Sequence, residues 1–130
     1  MKSSNEIMKN SCLVLIAHGS RNPNWAKPFE KLTNELKQDV GEDKLFLCFM
    51  ENSTPSVEEV FRQIVERGIC RVRVLPLFMA SGNHFREDIP TQIARVTSGV
   101  TNLEVELLPP IGEHPDFLEL MRKLARQSVL

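Results

Sequence analysis

The sequence contains no closely spaced cysteine pair, no large excess of one charge and no long apolar run. Its three cysteines form no Cys-x-x-Cys pair, which argues against a cysteine-rich zinc or iron–sulfur centre. Sixteen Lys and Arg residues against 17 Asp and Glu give a formal net charge of −1. This balance predicts no bulk attraction to nucleic acid or to an acidic membrane surface. No apolar stretch is long enough to cross a bilayer.

The cysteines and the amino terminus indicate the compartment. Cys12, Cys48 and Cys70 fall one in each of three apolar, strand-like runs, and the odd count favours reduced, buried thiols over disulfides. Residues 1–11 are polar, lack the apolar core of a signal peptide, and contain no arginine. We expect a flexible tail at 1–11, a single α/β domain at 12–130, and a cytoplasmic location.

Four apolar runs alternate with four amphipathic segments. The predicted strands cover residues 12–17, 45–50, 69–75 and 103–108, and the predicted helices cover residues 25–38, 56–66, about 89–96, and 116–126. For the third helix, Asp88 is a possible cap and Pro90 is tolerated in the first turn. Strict alternation of this kind is typical of a four-stranded parallel sheet with helices on both faces.

Polar residues concentrate where the predicted strands end. Alternation places every strand-to-helix loop at the carboxyl edge of the sheet, where ligands bind in open parallel sheets. His18 directly follows the first strand, and His84 lies in the predicted loop after the third strand. Two imidazoles at one edge can bind a metal ion, accept protons, or do both in turn.

Glu51 follows the second strand at the level where His18 follows the first. A carboxylate there is costly to bury unpaired, so it either faces the crevice or forms a salt bridge. A His18, His84 and Glu51 set suits iron, cobalt, nickel or zinc. The structural alternatives are a loop histidine bonded to the backbone at His18 and ordinary turn chemistry at His84. For His114, which precedes a helix start, capping is the favoured role.

Arg21 and Arg86 flank the two histidines of the predicted site. They are either solvated surface arginines or carboxylate-binding groups, since a guanidinium matches a carboxylate in geometry. Phe78, Met79 and Phe85 either form an apolar floor for a flat ligand or pack in the core.

Two segments carry a resemblance to a known family. The first is His18-Gly19-Ser20-Arg21, and the second runs from Pro76-Leu77-Phe78 into Gly82-Asn83-His84-Phe85-Arg86-Glu87-Asp88-Ile89-Pro90. Together they resemble the small sirohydrochlorin chelatases, the short members of the class II (ATP-independent) chelatase family. The resemblance spans nearly the whole chain and includes residues 109–115. Its most specific part is the His-x-x-x-Asp-Ile-Pro segment after a Pro-Leu-Phe strand end.

The resemblance implies a fold similar to half of a two-domain class II chelatase, acting as a homodimer. It implies insertion of divalent cobalt, iron or nickel into sirohydrochlorin, without ATP or an organic cofactor. In this family His18 and His84 would bind the metal and take part in deprotonating the macrocycle, with Glu51 as a further metal ligand. The substrate would contact a set of polar residues at the same edge, namely Ser20, Arg21, Ser81, Gly82, Asn83 and Arg86.

Three other functions compete with this hypothesis. A non-catalytic metal or tetrapyrrole carrier would use the same histidine pair and would bind without turnover. Histidine phosphatases also place a histidine at a strand end, but an arginine precedes that histidine, where this chain has Ala17. A flavodoxin-like receiver needs an acidic cluster after the first strand, where this chain has His18-Gly19-Ser20.

Overall fold

The computed structural model describes residues 10–80 and 82–129, with the side chains of 83–85 excepted. The four strands are β1 (Ser11–Ala17), β2 (Leu45–Phe49), β3 (Arg71–Pro76) and β4 (Glu104–Leu107). The four α-helices are α1 (Lys27–Val40), α2 (Val57–Glu66), α3 (Asn83–Thr97) and α4 (Pro115–Ser128). Short 3₁₀ turns at Pro23–Ala26, Glu42–Lys44 and Ile111–Glu113 lie in three of the connections.

The strands form one parallel sheet in the order β2-β1-β3-β4. This confirms the predicted four-stranded parallel sheet with helices between the strands, although the alternation alone did not determine the strand order. The chain moves from β1 to β2 on one side and then returns past β1 to β3. The carboxyl ends of β1 and β3 therefore flank the point where the strand order reverses, which is where open α/β sheets bind ligands.

The two faces of the sheet are covered by different helices. Alternate residues of β1 and β3, such as Val14 and Val74, pack with the apolar side of α2 and with Ile89 and Ile93 of α3. This larger core explains the apolar stripe of α2, whose Val57, Val60, Phe61 and Ile64 are all buried. On the opposite face, Ala17 and Phe49 pack with Ala26, Trp25 and Phe29, which lie just before or within α1.

Helix α2 is capped at both ends. The Ser56 hydroxyl accepts a hydrogen bond from the Glu59 N–H at 3.1 Å, so Ser56 is the N-cap. Glu58 and Glu59 occupy the first turn, where the helix dipole favours negative charge. The helix ends at Arg67 and Gly68, and Gly68 adopts a positive φ of 72°.

Two of the three thiols are buried in the core, as predicted. Burial raises the pKa of the Cys12 thiol to about 12, against the opposing effect of the Arg67 charge. Burial also raises the pKa of the Cys48 thiol. Cys70 differs, because it is half-buried, precedes β3 and donates its thiol hydrogen to the Asn10 carbonyl at 3.5 Å. The third strand thus begins two residues later than predicted.

The third helix begins six residues earlier than predicted, and this prediction was wrong in its details. Gly82 is the N-cap, and the Arg86 N–H donates to the Gly82 carbonyl at 3.2 Å to close the first turn. Pro90 therefore lies inside α3 and leaves the Arg86 carbonyl without its helical donor. Ile89 and Ile93, on the core side of the same helix, are both buried. Asp88 is not a cap, and His84 lies in the first turn of a helix rather than in a loop.

The described part of the chain begins just before β1 and ends just after α4. Of the predicted tail, residues 1–9 lie outside the described part of the chain, and Ser11 begins β1. The last helix, α4, has the predicted amphipathic sequence but no buried residue. Within residues 10–80 and 82–129, no helix is both long and apolar enough to cross a membrane.

The core assignment predicts a large stability difference between two aliphatic truncations. Ile64→Ala removes a fully buried side chain between α2 and the sheet and is expected to lower the free energy of unfolding by about 2–5 kcal/mol. Val40→Ala, at the exposed end of α1, is the control and should change it by less than about 0.5 kcal/mol. Urea unfolding followed by circular dichroism measures both. Equal effects of the two substitutions would contradict this packing.

Candidate active site

The loops after β1 and β2 are in direct backbone contact. The Met50 N–H donates to the Ala17 carbonyl and the Glu51 N–H donates to the His18 carbonyl, each at 3.0 Å. Gly19 adopts a φ of +99°, and a Cβ atom there would overlap the Glu51 carbonyl oxygen. Glycine is therefore required at position 19 for both its conformation and its lack of a side chain. This contact places the backbone of Glu51 beside that of His18.

A serine pair holds the same two loops further out. The Ser53 hydroxyl accepts from the Ser20 N–H at 3.1 Å and donates to the Ser20 carbonyl at 3.0 Å. The Ser20 hydroxyl in turn accepts from the Asn22 N–H at 3.1 Å. Ser53 thus bonds both backbone groups of Ser20. The segment after His18 is therefore held at Gly19, by its contact with Glu51, and at Ser20, by Ser53.

The imidazole of His18 stacks on the ring of Phe78, just after β3. Its ring centroid lies 4.1 Å from that of Phe78, with an interplanar angle of 29°. The Phe78 side chain is only 4% exposed, whereas His18 is exposed. The Leu77 N–H donates to the Ile16 carbonyl at 2.8 Å and keeps the two strand ends together. A core aromatic ring therefore supports one face of the exposed imidazole.

The fourth loop is attached to the third by another glycine. The Gly112 N–H donates to the Phe78 carbonyl at 2.9 Å. A Cβ atom at Gly112 would overlap the backbone of Met79, so a larger residue would separate the two loops. The segment before α4 is thus bonded, through Gly112, to Phe78, whose ring supports the His18 imidazole.

The predicted site residues that the structure describes lie at the carboxyl edge of the sheet. The side chains of His18, Arg21, Glu51 and Arg86 are exposed, and Ser20 is half-buried. Gly82 is the exposed N-cap of α3. Ser81 lies outside the described residues, as do the side chains of Asn83, His84 and Phe85. The backbone of His84 lies in the first turn of α3.

The metal-binding set stays a prediction. Among the side chains that the structure describes, no three His, Cys, Asp or Glu residues come together around a common point. His18 and Glu51 share one pair of loops, and the third predicted ligand, His84, has a side chain outside the description. An imidazole and a carboxylate with a further imidazole is a donor set that first-row divalent ions accept.

The other histidine and the apolar candidates have clear roles. His114 caps α4, because its Nδ1 accepts from the Asp116 N–H at 3.1 Å, as expected from its position before a helix. Phe78 is a core residue that supports His18 rather than an open floor for a ligand. Met79, 60% exposed, is an apolar surface residue next to it.

Sequence reasoning missed two positioning residues. The sequence analysis gave Ser53 no role in the site, yet its hydroxyl links two loops. Gly112 lies within residues 109–115, which are part of the resemblance but were assigned no function. Its close approach to Met79 depends on packing between segments that are distant in the sequence. A single serine or glycine belongs to no sequence pattern that would indicate which distant residue it contacts.

Comparison with known proteins gives consistent matches over most of the chain. The chain matches the CbiX family over residues 12–128. It is 27% identical over 117 residues to a sirohydrochlorin cobaltochelatase of Sulfolobus acidocaldarius, covering 90% of this chain and 91% of that protein. It is 24% identical over 120 residues to a sirohydrochlorin ferrochelatase of Priestia megaterium, covering 92% of this chain but only 45% of that protein.

A solved structure has the same fold. The crystal structure of a cobalamin (vitamin B12) biosynthesis CbiX protein from Marinobacter aquaeolei superimposes with a TM-score of 0.75 and 28% identity. The match covers 90% of this chain and 95% of that one. The chain therefore spans nearly the full length of some relatives and about half the length of others.

The contact between the first two loops predicts a site-specific effect of adding one methyl group. Gly19→Ala should lower the free energy of unfolding by at least about 2 kcal/mol more than Gly41→Ala. Gly41 is the matched control because its φ of +100° is within 1° of that of Gly19, while a Cβ atom there meets no atom within 4 Å. Thermal unfolding of both variants measures the difference. Equal losses would show that the positive φ alone sets the requirement at position 19.

Proposed function

Because this chain belongs to the CbiX family, we propose that it is a sirohydrochlorin chelatase that inserts divalent cobalt or iron into the macrocycle. The observation that carries the proposal is the placement of His18. Its imidazole is exposed at the carboxyl edge of a parallel sheet, supported by a buried ring and adjacent to the Glu51 loop. The names of two relatives, a cobaltochelatase and a ferrochelatase, support the substrate and the metals.

The metal ion enters as a substrate and must be released after it is bound. We assign it to the imidazoles of His18 and His84, with the Glu51 carboxylate as a further ligand. Imidazole binds these ions well, and an incomplete ligand set leaves positions open for the macrocycle nitrogens. Stacking on Phe78 limits the orientations that the His18 imidazole can adopt, so the ion is held in one place.

Insertion also requires a base. The divalent ion binds the four ring nitrogens while two macrocycle N–H bonds are broken and two protons leave, so the step needs no oxidant or reductant. A neutral imidazole accepts such a proton at neutral pH, since the unperturbed pKa of histidine is about 6.5. His18 and His84 are assigned this second role as the metal leaves them.

The substrate carries carboxylates, and the edge carries matching cations. Arg21 is exposed in the loop after β1, and Arg86 is exposed in the first turn of α3. Guanidinium groups bind carboxylates in a bidentate geometry. Ser20, Ser81, Gly82 and Asn83 complete the proposed substrate-binding set, in which backbone N–H groups at the start of α3 can meet an anion.

The remaining parts of the proposal concern conditions rather than residues. The protein uses no ATP and no organic cofactor, accepts nickel as an alternative ion, and acts in the cytoplasm as a homodimer. Its thiols are free, which fits a reducing compartment. The half-length match to the Priestia megaterium protein supports the homodimer, because two copies of this unit equal about one such chain.

A non-catalytic metal or tetrapyrrole carrier is the alternative function. It would use the same exposed imidazole, and the observations on His18 fit it equally well. The two functions differ in turnover, because a carrier binds at most a stoichiometric amount of metal and tetrapyrrole. Experiments therefore need substrate in large excess over protein.

The proposal predicts a loss of catalysis when either histidine is removed. Purified protein is mixed anaerobically with excess sirohydrochlorin and Co(II), Fe(II) or Ni(II), and absorbance follows metal insertion. We expect many turnovers per protein with cobalt or iron, and a drop of at least about 100-fold in rate for His18→Ala and for His84→Ala. A spectral change limited to one equivalent with every metal would leave only the carrier function.

His114→Ala is the matched control for the histidine variants. It removes an exposed imidazole from the same edge, but one that caps α4 and has no assigned role in the reaction. Its rate should remain within about threefold of the unmodified protein, with a cost of about 1 kcal/mol in stability. Equal losses in all three variants would show that the effect is structural and would contradict the assignment of His18 and His84.

A further inference from the structure

The loop between β2 and α2 is closed on itself. It leaves the sheet after Phe49, the last residue of β2, and it returns to the same residue, because the Phe49 N–H donates to the Pro55 carbonyl at 3.0 Å. Phe49 and Ser56 also form an isolated parallel bridge. Both ends of the loop are therefore held at the end of β2, and the path of residues 50–54 between them is restricted.

Two residues within this loop are also held by the loop after β1. Glu51 donates its N–H to that loop, and its carbonyl oxygen lies against Gly19, in the space that a Cβ atom would fill. Ser53 bonds both backbone groups of Ser20 through its hydroxyl. Asn52 lies between these two anchored residues, so its backbone conformation has to satisfy both contacts at once.

Asn52 makes this connection in the left-handed conformation. Its φ is +61°, whereas the other positive φ values among the described residues belong to glycines. Asparagine enters this region more readily than most residues because its short polar side chain can bond locally, and a β-branched residue is strained there. The Asn52 side chain is exposed, so the backbone conformation rather than packing accounts for the residue type at this position.

We propose that Asn52 is a positioning residue for Glu51, whose left-handed conformation fixes the direction in which the Glu51 side chain leaves the loop. The inference rests on the metal site proposed above, in which the Glu51 carboxylate is a ligand. A carboxylate that is already directed toward the ion loses less conformational freedom on binding, so the affinity for the ion is higher. Residues that orient metal ligands in this way typically change metal affinity about 10- to 100-fold.

A side chain that disfavours the left-handed conformation at position 52 would break one of the two anchoring contacts. Either Ser53 separates from Ser20, or the Glu51 backbone rotates away from the first loop. Glu51 is then no longer constrained from both sides, while the His18 imidazole keeps its support from Phe78. The loss should therefore appear in metal affinity, and it should depend on the presence of the Glu51 carboxylate.

Isothermal titration calorimetry of the untagged protein with Co(II) alone measures this affinity without tetrapyrrole. Asn52→Val, which is strained at positive φ, should raise the dissociation constant for Co(II) at least about tenfold. Asn52→Gly also removes the amide but adopts positive φ freely, so its dissociation constant should stay within about threefold of that of the unmodified protein. Equal losses in both variants would indicate a direct contact from the amide and would overturn the inference, as would unchanged binding by Asn52→Val.

A double-mutant cycle tests whether Asn52 acts through Glu51. Glu51→Gln keeps the length of the side chain but removes its charge, and it should raise the Co(II) dissociation constant at least about tenfold. In this background, adding Asn52→Val should change the dissociation constant by less than about twofold, because the carboxylate that Asn52 positions is already gone. Two losses that multiply in the double variant would show that Asn52 acts independently of Glu51 and would overturn the inference.

Gly68→Val is the matched control for a general loss of stability. Gly68 is exposed, has a φ of +72°, and a Cβ atom there meets no atom within 4 Å. It lies just past the end of α2, away from the carboxyl edge of the sheet. Both valine variants should lower the Tm by roughly 3–10 °C, but only Asn52→Val should weaken Co(II) binding. Equal weakening in both would attribute the effect to stability and overturn the inference.

These outcomes are distinguishable from a failure of the proposed function. If Glu51→Gln weakens Co(II) binding and Asn52→Val does not, the metal site stands and the role of Asn52 is wrong. If Glu51→Gln binds Co(II) as tightly as the unmodified protein, Glu51 is not a ligand and both assignments are wrong. The turnover assay with His18→Ala and His84→Ala decides the chelatase function separately.

Discussion

The absence of a side chain at Gly19 is the constraint on which the site depends. It lets the backbone after β1 lie directly against the Glu51 carbonyl, so that His18 and Glu51 belong to one fixed unit. Gly112 has the same function on the other side, where it brings the segment before α4 onto Met79 and Phe78. Because Phe78 supports the His18 ring, the exposed imidazole is connected to the buried core through a single stacked pair.

The sequence predicted the sheet well because its patterns are local. Unbroken apolar runs define β1 and β2, and the apolar period of α2 identifies the helix that fills the larger core. The start of α3 was misplaced because Pro90 is typical of a first turn, whereas it lies within the helix. The strand order, the Ser53–Ser20 bonds and the Gly112 contact were not predicted, since each depends on which distant segments meet.

Helices α2 and α4 differ in whether the fold covers their apolar sides. The apolar stripe of α2 is buried in the core, whereas the equally regular stripe of α4 lies at the surface. Periodicity identifies an apolar side but does not say what covers it. The match to the Priestia megaterium protein likewise covers only 45% of that relative, so the same unit occurs in chains of different length.

The position of a bound ion tests the central claim most directly. Crystals of the protein soaked with Co(II) should show an anomalous cobalt peak about 2.1 Å from ring nitrogens of both His18 and His84, at the carboxyl edge of the sheet beside Glu51. His18→Ala crystals treated in the same way should lose the peak. Cobalt bound elsewhere, or bound equally well without His18, would contradict the account.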